Sequence, residues 1–139
     1  MRKTRDTFLH FLSDNLTGVP LHTVRADSSN PSMARYQTDA VNVKFLDVSP
    51  NWQIGSTLVE IAVIANDELD ALTWVQSVYA LLSSAYYTPK LDYTNPANPV
   101  ATGTNIYWDV DIKFRTVLTS NDFYYDYRCL LTLRHKIDS

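Results

Sequence analysis

The sequence predicts an α+β fold, a four- to five-stranded, mostly antiparallel sheet with two helices packed on one face. Three observations predict it. Residues 67–87 carry apolar side chains at steps of three and four, the helical period. Residues 41–45 and 56–64 alternate apolar and polar side chains, as does most of 106–134. Period two marks a half-buried strand, and helices layered on a sheet bury both kinds of apolar face.

The bulk numbers frame this reading. At 139 residues, with 45% hydrophobic and 19% charged residues, the chain has the size and composition of a single globular domain, 1–139. Nine tyrosines and three tryptophans stand beside only three glycines. Tyr and Trp combine large contact areas with a polar handle and are favoured at interfaces. The net charge is −3, and no basic tract suggests a nucleic-acid footprint. A single cysteine excludes an intrachain disulfide. The basic N-terminus is interrupted by Asp6, His10 and Asp14, so it is not a signal-peptide core, and no apolar run is long enough to span a bilayer. The chain is therefore expected inside a cell or in a particle assembled there, and the sequon at Asn15 is accidental.

Taken in order, Thr4 caps a first helix running to about residue 16, with Phe8, Leu12 and Leu16 on one face. Gly18 suits the left-handed position after it, and Pro20 prevents continuation. A short extended run, 21–25, leads into a polar loop, 27–39. Val41, Val43 and Phe45 form the inward face of one strand, and Val59, Ile61 and Val63 that of the next. The connector 47–55, carrying Trp52, projects between them as a hairpin tip.

The helix at 67–87 is the centre of the fold. Leu69, Leu72, Val75, Tyr79, Leu82 and Tyr86 make its apolar stripe, expected to seal one face of the sheet. Asn66 is the expected N-cap, with Asp67, Glu68 and Asp70 at the positive end of the helix dipole. Residues 88–104 hold three of the six prolines and show no period, so they read as a long loop. The last third reads as a long hairpin turning at 119–121. Its expected register sets Lys113 opposite Asp126 and Asp111 opposite Arg128; a slip of two would pair Arg115 with Asp126.

Little here points to catalysis, and no cofactor or metal is expected. His10, His22 and His135 fall in different elements without ligand spacing, and read as solvated surface residues. Cys129 lies on the inward side of the last strand, the place of a buried, inert thiol. Asp109 and Asp111 share one strand side, yet neighbouring Lys113, Arg115 and Arg128 explain them as charge pairing. No phosphate-cradling glycine loop or nucleophile elbow is present. Trp52, Tyr86, Tyr87 and Tyr93 either fold back as local plugs or anchor subunit contacts.

The order of these elements, the segment Asn66-Asp67-Glu68-Leu69-Asp70-Ala71 leading into Trp74, and the closing strand from Tyr125-Asp126-Tyr127-Arg128 to Leu133 resemble the tail-terminator (tail-completion) proteins of long-tailed bacteriophages. The resemblance implies a structural virion protein, not an enzyme. It implies a homo-oligomeric, hexameric ring at the head-proximal end of the tail, assembled in the host cytoplasm. Such a ring caps the tail-tube protein, offers a surface to the head-side connector, and lets DNA pass its lumen without tight binding. On that reading Trp52, Gln53, Tyr93, Asn95 and Pro96 reach neighbouring subunits or the tube. Asp109, Asp111, Lys113, Arg115, Asp126 and Arg128 form a polar sheet face for the lumen or the next ring. A head–tail connector, neck or minor tail protein is the nearest alternative. An enzyme with an intersubunit site and a monomeric, non-phage binding module are the others.

Overall fold

The structure, a computed structural model, describes residues 2–24, 36–46, 55–117 and 124–137. Its elements follow as α1 (Arg2–Asn15), β1 (Leu21–Val24), β2 (Ala40–Leu46), β3 (Ser56–Ala65), α2 (Glu68–Ser84), β4 (Tyr87–Asp92), β5 (Val100–Tyr107), β6 (Arg115–Thr116) and β7 (Tyr125–Arg134). The strands form one seven-stranded mixed sheet in the order β1-β2-β3-β7-β5-β4, with β6 also on β7, curled into a half-barrel. This corrects the expected sheet of four to five strands.

The central ladder follows the alternation in the sequence. Val41, Val43 and Phe45 face Val63, Ile61 and Val59, which in turn face Tyr127, Cys129 and Leu131. Apart from the half-buried Tyr127, these residues are buried. Phe8 and Leu12 of α1 and Val78 and Leu82 of α2 close the same core. Each such side chain contributes about 1.5–3 kcal/mol on burial. Gly18 takes φ 74 as expected, and β1 joins the sheet parallel to β2.

The extra strands come from 88–104, which is a hairpin rather than a loop. Proline lacks the N–H that an interior ladder needs, but Pro89 sits in β4, the edge strand, where that donor is not required. The strand register shifts between Pro89 and Leu91, and there α1 clasps the edge. Thr7 Oγ1 donates to Leu91 O (3.1 Å) and accepts from Leu91 N (3.0 Å). Half of β5 is exposed and only Ile106 is buried, so no apolar alternation announces it.

The closing hairpin is also corrected. After β5 the chain leaves the ladder at Trp108 and returns only at β6, where Arg115 faces Arg128 and Thr116 faces Tyr127. Neither the expected register nor its slipped form occurs. The apolar residues of 106–114 do not share a sheet face, because Trp108 and Ile112 enter the core while Val110 is exposed. A turn makes this possible, with Asp111 N bonded to Asp109 Oδ1 (3.0 Å) and Ile112 N to Val110 O (2.9 Å). Trp108 stacks edge-on against Phe8 and donates from Nε1 to Leu82 O (3.0 Å), satisfying a carbonyl at the end of α2.

Three local expectations also change. Thr4 is a buried residue inside α1, which begins at Arg2. Asn66 does not cap α2; the N-cap is Asp67, without a side-chain bond. Asn66 instead gives its backbone N–H and Nδ2 to the Asp39 carboxylate (2.9 and 3.0 Å), tying the start of α2 to the turn before β2. His135 is buried rather than solvated, its Nε2 lying 2.7 Å from Thr57 Oγ1.

Cys129 is buried as expected, and burial pushes its thiol up to about 12. Tyr36 is also pushed up to about 12, first by burial and then by its hydrogen bond to Glu60. A raised acid pKa stabilises the fold below the unfolded value and loses that contribution as pH climbs to the folded one. Stability is therefore expected to fall between pH 9.0 and about 12 for the thiol and between 10.0 and about 12 for the phenol. Urea midpoints across that range, with thiol labelling appearing only on unfolding, check this.

Candidate assembly surface

Helix α2 is apolar on two faces, and the sheet uses one. Ala71, Val78 and Leu82 are buried, with Trp74, Val75 and Leu81 packed beside them. The small Ala71 side chain lets this face approach closely. The expected stripe is thus corrected by a rotation about the helix axis. Leu69 (70% exposed), Leu72 (41%) and Tyr79 (50%) point outward, and Tyr86 just beyond the helix is 57% exposed. Periodicity could not choose between the faces, because both repeat every three or four residues.

The outward face is also charged in one sense. Asp67, Glu68 and Asp70 crowd its start, and no Lys or Arg occurs between Lys44 and Lys90. The carboxylates suit the positive end of the helix dipole.

At the other end of the sheet lies an open groove of about 640 Å³, lined by Gly55, Gly103, Tyr107, Arg134, His135 and Lys136 among others. Backbone bonds build it: His135 N donates to Gly55 O (2.8 Å), and Tyr107 pairs with Arg134 where β5 meets β7. Buried Lys90 reaches from β4 to donate to Lys136 O (2.7 Å). Arg134 and Lys136 are exposed at its rim. Tyr107 leads outward to Tyr87 and Tyr86, with successive ring centroids 6.2 and 4.9 Å apart. His135 spends Nε2 on Thr57 and faces Lys136 O with Nδ1 (3.0 Å), so it is held rather than poised for proton transfer. Among the described residues no group of His, Cys, Asp and Glu could hold a metal ion.

No protein-family model and no curated protein matches the chain.

The sequence-derived candidates are scattered. Trp52 and Gln53 lie outside the described residues. Tyr93 folds back on α1, its ring stacked on His10 at 4.0 Å and 1°. Asn95 and Pro96 form the exposed tip of the β4–β5 hairpin, closed by Asn98 N bonded to Asn95 O (3.0 Å). Asp109, Asp111 and Lys113 are exposed on the irregular segment, where Lys113 sits 3.9 Å from Asp111. Arg115 is exposed on β6.

Asp126 and Arg128 belong to another cluster. Asp126 is buried and takes a bidentate bond from Arg128 (3.0 and 2.9 Å). The guanidinium also lies over the Tyr36 ring, 4.4 Å from its centroid, and 3.7 Å from Glu60. That bond to Asp126 raises the Arg128 pKa further. Such planar, paired geometry pins one side of the sheet and is a structural clasp. The six charged candidates therefore do not form one polar face. Sequence reasoning missed the outward face of α2 and the groove; the signal available for the first was a helix with more apolar residues than one stripe needs. Among the described residues no helix is long and apolar enough to cross a membrane.

Proposed function

We propose that the chain is a structural subunit of a tail-terminator ring that caps the tail tube of a long-tailed phage and presents the head-joining surface, acting by assembly and not by catalysis. The observation that carries the assembly reading is the outward face of α2. Three large apolar side chains, Leu69, Leu72 and Tyr79, are exposed on a helix whose other face already fills the core. Exposed apolar side chains aligned on one helix face mark interaction surfaces. Element order and the 66–71 segment support the phage setting through their resemblance to terminators. A net charge of −3 suits a lumen that passes DNA without gripping it, since tight binding calls for clustered Lys and Arg. A ring also needs two different patches per subunit, and the aromatic, basic groove is distinct from the face of α2.

The test is the mass in solution by light scattering, alone and with tail-tube protein. A hexamer, or a monomer that becomes a ring on the tube, is the expected result. The double variant Leu69→Ser, Leu72→Ser removes exposed side chains, so it is expected to keep its circular dichroism and lose assembly. A wild-type monomer indifferent to the tube overturns the reading. Co-assembly with portal or adaptor protein in place of tube would move the subunit to the neck.

A further inference from the structure

The two surface features just described lie at opposite ends of the same strand pair, and this suggests how copies meet. Ala65, next to the start of α2, pairs with Tyr125 at one end of the β3–β7 ladder; Ser56, which lines the groove, pairs with Arg134 at the other. Ten residues of strand separate the ends by roughly 30 Å. One end carries exposed Asp67, Glu68 and Asp70 around Leu69 and Leu72. The other carries exposed Arg134 and Lys136 on an open groove that Gly55 and Tyr107 also line.

We infer that copies of the chain associate head to tail, the acidic, leucine-bearing start of α2 on one copy seating in the Arg134–Lys136 groove of the next. The occupant is a second copy because each end supplies what the other lacks. The groove offers positive charge beside an aromatic shelf, Tyr107, Tyr87 and Tyr86, and α2 offers carboxylates beside two leucines. A concave site takes a projecting one, and Leu69 is the most exposed of the large hydrophobic residues described. Because the two patches differ, the contact is heterologous, and repetition closes into a ring when the rotation between copies allows it. Opposite charge across the contact steers the encounter and sets the register of the apolar residues. The inference rests on the self-assembly reading above and specifies its interface.

Paired charge reversal tests it. One variant carries Glu68→Lys and Asp70→Lys, the other Arg134→Glu and Lys136→Glu; all four side chains are exposed, so circular dichroism is expected to be unchanged. Each variant alone brings like charges together at every contact and is expected to weaken association at least about tenfold in sedimentation velocity. Mixed one to one, they restore opposite charges at both alternating contacts, so assembly is expected to return. Wild-type association is also expected to weaken with salt. If either variant assembles like wild type, or the mixture stays monomeric while wild type assembles, the contact is overturned and the ring reading survives. If wild type is itself monomeric with and without tail-tube protein, both are overturned.

Discussion

Replacing Trp108 with alanine is expected to lower the free energy of unfolding by about 3–5 kcal/mol, the range for deleting a large buried aromatic. The side chain is 1% exposed and touches three parts of the fold at once. It packs against Phe8 (5.9 Å between centroids) and Phe11 (5.2 Å) of α1, and bonds Leu82 O at the end of α2. Its backbone N–H donates to Tyr86 O (3.0 Å), which aligns the start of β4 with the end of β5. Alanine leaves a cavity between the helices and a helix-end carbonyl without its indole donor. Trp108→Phe separates the two losses, since it retains most of the volume but not the N–H. It is expected to cost about 1–3 kcal/mol, chiefly from the unsatisfied carbonyl. Chemical denaturation of the three proteins measures both. Equal stability of wild type and alanine variant would show that Trp108 does not hold the helices together.

Gly55→Ala is the second substitution with a large expected effect. The residue has φ +87, and a Cβ built there would lie 2.3 Å from His135 O, a backbone atom that cannot swing away. Two penalties add. The left-handed backbone costs an L residue about 1–3 kcal/mol, and the clash must open the contact between the start of β3 and the chain after β7. Opening it strains the His135 N bond to Gly55 O and the buried Thr57–His135 bond. Gly18→Ala is the control, because Gly18 has φ +74 but open space around the added Cβ. It is expected to cost only the backbone part. The measured difference between the two alanine variants therefore reports the close approach itself. Gly55 and His135 also line the groove, so Gly55→Ala is expected to weaken assembly, whereas Gly18→Ala leaves it intact.

Parts of this architecture were legible residue by residue. The inward faces of β2 and β3 follow from Val41, Val43, Phe45, Val59, Ile61 and Val63, and Cys129 was placed on the buried side by the same alternation. The turn at Gly18 was legible because so few residues accept its backbone angle. The hairpin of β4 and β5 was not. Its strands lie at the sheet edge, where proline is permitted and exposed faces carry no apolar code. The charged candidates of the last third failed for a related reason. Their alternation is real, but Trp108 and Ile112 are drawn into the core by the helices, and the ladder breaks between β5 and β6.

The sequence by itself determined which stretches are the two helices and the central strands β2, β3 and β7, because the period of apolar side chains is a local property. Tertiary structure decided which face of α2 is buried, how many strands the sheet holds, and that Gly55, Tyr107, Arg134 and Lys136 share one groove. Those outcomes depend on competition among distant segments for the same apolar surface. Ala71, Val78 and Leu82 won it through close packing, and Leu69, Leu72 and Tyr79 were left facing outward.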